Sequence, residues 1–348
     1  MVHIVLTFNA LCDRIYFVKL CYFLDECSAF LCGILYEALL MRIFENDYYN
    51  ENGRGCVLAF GNFDGVHNGH KHLLSKAKEY AREHGLDFGV YTFTDSPKFL
   101  NSRHSILTTL QSRLSLLDYV ASPDFVYLEK FGNVKDMQTS EFVEYIINKF
   151  GCECGFCGEN FRFGRNAVGD SSALVGLMSG FGKCAVVVPS LMHDGKVISS
   201  SRICALLKEG KVEEVNEMCE PYGFVSKVIH GAHLGNKLGY PTINQKIPHE
   251  LICPKYGVYS TLVTVDGKEY MGVTNFGVKP TVSDDNTPVA ETYIIGFDGD
   301  VYDKYVFIRF MMRLRDEKTF SSLDELTRNI AMNVEQTKKF FEENYETH

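Results

Sequence analysis

The stretch Gly61-Asn-Phe-Asp-Gly-Val-His67-Asn-Gly-His70 constrains the fold of this chain more than any other. Before it, Cys56-Val-Leu-Ala-Phe60 is an unbroken apolar run that reads as a buried strand. After it, Leu73, Leu74, Ala77, Tyr80 and Ala81 recur at helical spacing until Gly85 stops the helix. A second apolar run, Phe88 to Phe93, completes a βαβ unit. Glycines at such a junction let the backbone approach a ligand closely, while the open N–H groups and positive dipole end of the helix attract anions. The spacing therefore aims His67 and His70 at a phosphate. A helix cap or an ordinary surface position is the plain structural alternative. Zinc is the other, but no third ligand lies nearby and the pair sits in a turn, not on one helix face.

From Met41 to about Cys219 strand and helix patterns alternate. Strands are predicted at Val57 to Phe60, Phe88 to Phe93, Phe125 to Leu128, Cys154 to Gly158 and Ala185 to Pro189. Between them, Thr108 or Thr109 caps a helix through Leu110, Leu114 and Leu117, and Thr139-Ser140-Glu141 opens another through Phe142, Ile146 and Phe150. Such alternation implies an α/β domain with a mostly parallel sheet, helices on both faces and ligands at the carboxyl ends of the strands. After Pro221 the pattern changes. Tyr256 to Val265, Glu269 to Asn275, Glu291 to Gly296 and Tyr305 to Leu314 read as strands joined by turns such as Asp266-Gly267 and Asp298-Gly299. This predicts an antiparallel β domain, closed by helices carrying Leu323, Leu326, Ile330, Val334 and Phe340. The expected division is residues 41–219 and 220–348, preceded by a segment at 1–40.

A chain of 348 residues with 46% hydrophobic content can bury two ordinary cores. Its net charge of −9 argues against a nucleic-acid partner, so a phosphate ligand must be held by local groups. Twelve cysteines without a secretory signal or regular spacing point to a reducing cytoplasm in which thiols stay free. Cys152, Cys154 and Cys157 lack an obvious fourth metal ligand and overlap a predicted strand. Ile15 to Phe30 is apolar and aromatic, yet Lys19, Asp25, Glu26 and Glu37 interrupt the region, and the uncharged run Cys27 to Tyr36 is well short of the ~20 residues of a membrane span. The composition argues against a membrane anchor and carries no signal of oligomeric state.

The ten-residue string resembles the G-x-F-D-G-x-H-x-G-H signature of nucleotidyltransferases, and within them most closely the bacterial bifunctional riboflavin kinase/FMN adenylyltransferase (FAD synthetase) family. Three further motifs follow in order. Gly158-Glu-Asn-Phe-Arg-Phe-Gly164 with Gly169-Asp170 looks like that family's second adenylyltransferase motif, and Ile198-Ser-Ser-Ser-Arg-Ile203 like its I-S-S-T-x-I-R motif. Gly231-x-x-x-Gly235-x-x-x-Gly239-Tyr-Pro241-Thr242-Ile-Asn244 is similar to the phosphate loop and P-T-x-N motif of riboflavin kinases. The resemblance implies a Rossmann-like nucleotidyltransferase domain followed by a small closed β-barrel kinase domain. Met41-Arg-Ile-Phe44 resembles the usual start of such proteins, so residues 1–40 read as an upstream extension, an amphipathic membrane or partner helix being the other reading.

The resemblance also implies roles. In the first domain, the phosphate of FMN attacks the α-phosphorus of ATP, with His67 and His70 as catalytic groups. Gly61, Phe63, Asp64, Gly65, Gly69, Asn160, Ser199, Ser200 and Ser201 would bind ATP and phosphate. In the second, Glu291 matches the catalytic glutamate that takes the proton of riboflavin's hydroxyl, and Thr242 and Asn244 supply hard oxygen ligands for Mg²⁺. Gly231, Gly235, Gly239, Pro241 and Asn275 would cradle the kinase ATP, and Arg315 and Glu317 would lie on the flavin side. Four-residue glycine spacing also marks membrane helix packing, but His230, His233, Lys237 and Pro241 exclude that here. One departure stands out: the arginine that ends the I-S-S-T-x-I-R motif is Cys204. A monofunctional kinase with a weakened first domain, or a flavin- or nucleotide-sensing binding protein, are the alternatives it leaves.

Overall fold

In the computed structural model of the chain, residues 41–45, 47–48, 53–95, 106–230, 239–278 and 288–345 are described. The segment 1–40 lies outside them. Contacts divide the chain into two units, Met1–Ser102 with Thr109–Ser199, and Arg103–Thr108 with Ser200–His348.

The first unit is built on one parallel sheet. Strands β1 (Arg42–Phe44), β2 (Cys56–Phe60), β3 (Asp87–Phe93), β4 (Phe125–Glu129), β5 (Cys152–Gly158) and β6 (Cys184–Val188) run in the order β1-β4-β3-β2-β5-β6. Helices α1 (Asn68–His84), α2 (Leu110–Ala121), α3 (Thr139–Phe150) and α4 (Ser171–Gly180) cover it. Side chains alternate across a strand, and β2 shows the result. Val57 and Ala59 pack with Leu73, Leu74, Ala77, Leu114 and Leu117, whereas Cys56, Leu58 and Phe60 pack with Phe142, Ile146, Phe150, Leu174 and Met178. All five predicted strands are present. β1 has no visible period in its three residues and was not expected. Thr109 caps α2, its Oγ1 accepting from Ser112 N at 3.2 Å. As predicted, α3 opens at Thr139; its cap is Gln138, whose backbone N–H donates to Glu141 Oε2 at 2.7 Å.

The expectation of free thiols fails at one pair. Cys154 and Cys184 form a disulfide with Cα atoms 4.5 Å apart. They are register partners on the neighbouring strands β5 and β6, a proximity that a separation of 30 residues does not reveal. Cys56, Cys152 and Cys157 remain thiols.

In the second unit, β7 (Gly223–Ile229), β8 (Thr242–Lys246), β9 (Gly257–Val265), β10 (Lys268–Val278), β11 (Pro288–Ile294) and β12 (Tyr305–Arg315) close into an antiparallel barrel in the order β7-β8-β11-β10-β9-β12. The helices α5 (Ser200–Glu209), α6 (Val212–Met218) and α7 (Leu323–Asn344) belong to the same unit. On α6, Asn216 Nδ2 donates to the carbonyls of Phe310 and Met311 at 3.0 and 3.2 Å. On α7, Ile330 and Val334 pack against Val258 and Val273. The buried residue near its end is Phe341, not the expected Phe340.

β8 reads poorly as a strand because Thr-Ile-Asn-Gln-Lys places polar groups on both faces. The barrel accommodates them by pairing. Gln245, fully buried, donates from Nε2 to the carbonyls of Ser226 and Val306 at 2.7 and 2.9 Å. Thr261, Thr274 and Thr292, also fully buried, link β9, β10 and β11 through two hydroxyl contacts of 2.8 Å each. Thr274→Val keeps the shape but strands two buried hydroxyls. We expect a loss of about 1–3 kcal/mol in urea unfolding of the full chain.

Candidate active sites

The sheet order reverses at β2, whose neighbours are β3 on one side and β5 on the other. Loops leaving the carboxyl ends of β2 and β5 therefore diverge, at the position where open α/β sheets bind ligands. The loop after β2 carries the first histidine motif, and the turn after β5 carries the second motif.

The first loop has an uncommon backbone. Phe63 and Val66 adopt φ of 49° and 36°, in the left-handed region that β-branched and bulky residues avoid, beside Gly65 at 78°. Such conformations persist only where tertiary contacts over-determine them. His67 is the N-cap of α1, and its Nδ1 accepts from the backbone N–H of His70 at 3.3 Å. An accepting Nδ1 in a neutral ring leaves the proton on Nε2. The two imidazoles stack with centroids 3.6 Å apart and 14° between planes, and Phe63 meets His70 edge-on at 5.2 Å. A Cβ on Gly69 would lie 3.2 Å from the His67 ring and 3.7 Å from the Ile198 carbonyl, so this glycine allows the helix start to sit close to both.

The other residues of the first motif set divide by exposure. Phe63 and Asp64, expected to bind nucleotide, are both 0% exposed, and their side chains face the interior. Asn160 is exposed at a turn closed by Phe161 N donating to Gly158 O at 3.1 Å. The unit division falls between Ser199 and Ser200. In the second unit, Ser200 is buried and Ser201 exposed at the start of α5, and Arg202 Nη2 is paired with Glu214 Oε1 of α6 at 3.0 Å. Sequence reasoning missed Arg113. This nearly buried α2 residue donates from Nη1 to Asn62 O at 2.9 Å and from Nη2 to Phe93 O at 2.6 Å. Burial pulls its pKa down to about 10, with the charge of Asp64 opposing. A charged residue between Leu110, Leu114 and Leu117 in an apolar stripe was the available signal.

In the barrel, register gathers the second set. Asn244 of β8 and Asn275 of β10 both lie directly opposite Glu291 of β11. Thr242 donates from Oγ1 to Glu291 Oε1 at 3.1 Å. A Cβ on Gly277 would collide with the Glu317 carboxylate, which brings Glu317 over the same strand as Asn275. Arg315 donates from Nε to Asn333 Oδ1 of α7 at 3.4 Å and lies 5.5 Å from the Phe320 ring, and burial lowers its pKa. Asn333, nearly buried, is a second residue that sequence reasoning missed. Gly239 turns with φ of 77°, and Pro241 is exposed beside it. Gly231, Gly235, Pro280 and Thr281 lie outside the described residues. No group of three or more His, Cys, Asp or Glu able to hold a metal occurs among the described residues.

A family model described as FAD synthetase matches residues 49–202, and one described as riboflavin kinase matches residues 218–341. The chain is 30% identical over 293 residues to the bifunctional riboflavin kinase/FMN adenylyltransferase of Bacillus subtilis (strain 168), covering 82% of this chain and 92% of the relative. It is 32% identical over 291 residues to the protein of the same description from Pseudomonas fluorescens, covering 81% and 91%. A crystal structure described as a macrolide-efflux protein from Streptococcus pneumoniae aligns with a TM-score of 0.77 at 25% identity, covering 86% of this chain and 99% of that one. Among the described residues of this chain, no helix is long and apolar enough to cross a membrane.

The cap at His67 is open to test without any ligand. His67→Ala is expected to cost about 1 kcal/mol in urea unfolding, and His67→Asn, which retains a capping acceptor, should recover most of it.

Proposed function

The chain belongs to the bifunctional riboflavin kinase/FMN adenylyltransferase family, and we propose that its two reactions fall to the two residue clusters described above. It phosphorylates riboflavin with ATP to give FMN, and adenylylates FMN to give FAD and pyrophosphate. The observation that carries the assignment is Glu291, with Thr242 hydrogen-bonded to it and Asn244 and Asn275 opposite it on both neighbouring strands.

The kinase nucleophile is a primary hydroxyl, which must lose its proton as its oxygen bonds to the γ-phosphorus and the bond to ADP breaks. Glu291 accepts that proton. A partly exposed carboxylate that accepts a hydrogen bond from Thr242 suits this role. Thr242, Asn244 and Glu291 place hydroxyl, amide and carboxylate oxygens together, the hard donor set that Mg²⁺ prefers. When bound, the ion would neutralise charge on the ATP phosphates. Asn275 and Gly239 line the phosphate side, and Arg315 and Glu317 the flavin side.

For FAD formation the nucleophile is already an anion. A phosphate oxygen of FMN bonds to the α-phosphorus of ATP and the bond to pyrophosphate breaks, so positioning and charge stabilisation do the work. His67, His70 and the backbone N–H groups at the start of α1 supply donors there. The buried Asp64 and Phe63 hold the loop that presents them. Both substrates are small molecules, and use of ATP fits a cytoplasmic setting.

Glu291→Gln should lower riboflavin phosphorylation by about a hundredfold or more while FMN is still converted to FAD. His70→Ala should do the reverse. Chromatographic separation of FMN from FAD in single-substrate incubations reads both. Equal loss of the two activities in folded protein would break the assignment.

Cys204 stands where the family motif ends in arginine, and Arg202 is engaged with Glu214 at 3.0 Å. Cys204→Arg is expected to improve kcat/KM for ATP in FAD synthesis about tenfold, the worth of one charge-assisted hydrogen bond to phosphate. Riboflavin phosphorylation should not change. A neutral or harmful Cys204→Arg in steady-state kinetics would count against a missing cation.

A further inference from the structure

Arg113 is a charged side chain only 2% exposed, and its partners are not core groups but the ends of two strands. Nη1 donates to the carbonyl of Asn62, in the loop that follows β2, and Nη2 to the carbonyl of Phe93, the last residue of β3. Thr92 Oγ1 donates to the same Asn62 carbonyl at 3.3 Å. The fully buried Asp64, two residues on in that loop, interacts electrostatically with the guanidinium. Between Asn62 and His67 the chain holds Phe63 and Val66 in left-handed conformations, so local preference does not set its path.

We propose that Arg113 is a positioning residue for adenylyl transfer: by tying Asn62 to the end of β3, it sets where His67 and His70 stand. The proposal rests on the assignment of FAD formation to this loop. A planar guanidinium reaches two carbonyls in fixed directions; an ammonium on a flexible stem serves one well and the other poorly. Charge alone therefore does not replace it. Displacement of catalytic groups by about 1 Å costs on the order of a hundredfold in rate.

The test uses the full chain and the variants Arg113→Lys and Arg113→Ala. The Lys variant should lose about ten- to a hundredfold in kcat for FMN adenylylation, with a much smaller change in KM for ATP. Its riboflavin phosphorylation should stay at the wild-type rate. In the Ala variant, millimolar guanidinium should restore part of the adenylylation rate, and urea at the same concentration should not. Three results would overturn the proposal: an unchanged adenylylation rate in Arg113→Lys, parallel loss of both activities, or an Arg113→Lys protein that fails to fold. The first leaves the residue idle, and the other two reveal a general scaffold role. Failure of the underlying assignment looks different: His70→Ala would then make FAD at the wild-type rate, whatever the Arg113 variants do.

Discussion

β2 is buried along its whole length, with Cys56, Val57, Leu58 and Ala59 at 0% exposure and Phe60 at 3%. A strand so enclosed has no freedom of register, because a slip of one residue would exchange the side chains packed on its two faces. Its carboxyl end is thereby fixed in space, and the loop that leaves it must turn into α1 within a few residues. That demand explains the positive φ values at Phe63, Gly65 and Val66 and the crowding of Gly69 against His67. The strained loop is stable because both of its ends are anchored: one in the sheet, the other in a helix whose Leu73, Leu74 and Ala77 are packed in the core.

The barrel gathers its proposed site residues by a different route. Here no single loop presents them. Pairing of β8 with β11 and of β11 with β10 sets Asn244, Glu291 and Asn275 in one cross-strand row. The same pairing places Thr274 opposite Thr292, adjacent in sequence to Asn275 and Glu291 and therefore on the other face. The buried hydroxyl chain and the Glu291 row are thus two faces of one register. A polar core of this kind rewards the correct register and penalises any other, since each shifted pairing would leave buried hydroxyls without partners.

Much of this was legible in the chain, and the limits follow from physics. The motif strings are local, and the first of them marked the β2–α1 junction directly. Apolar runs of four or more residues revealed β2 to β6. β1 escaped because three residues carry no period, and β8 because Asn244 and Gln245 are polar residues whose burial depends on barrel closure. Arg113, Asn333 and the Cys154–Cys184 pair share another reason. Each acts through a partner far away in sequence, and nothing in local spacing encodes that. The exposure of Asn160 and the enclosure of Asp64 and Phe63 were likewise invisible, since a motif names residues without saying which way they face.

On the proposed assignment, the contrast between the two reactions matches the contrast between the clusters. A phosphate nucleophile is already an anion, so a carboxylate at its site would repel both reactants; the first loop instead offers two imidazoles and the N–H groups of a helix start, and its one carboxylate, Asp64, is wholly enclosed. A hydroxyl nucleophile needs a proton acceptor, the role proposed for Glu291, which is partly exposed, accepts from Thr242 and lies between Asn244 and Asn275. With a net charge of −9 on the chain, neither cluster can rely on long-range attraction for phosphates. On the proposed assignment, each would hold them with donors fixed by backbone geometry, at a buried strand end in one unit and along a cross-strand row in the other.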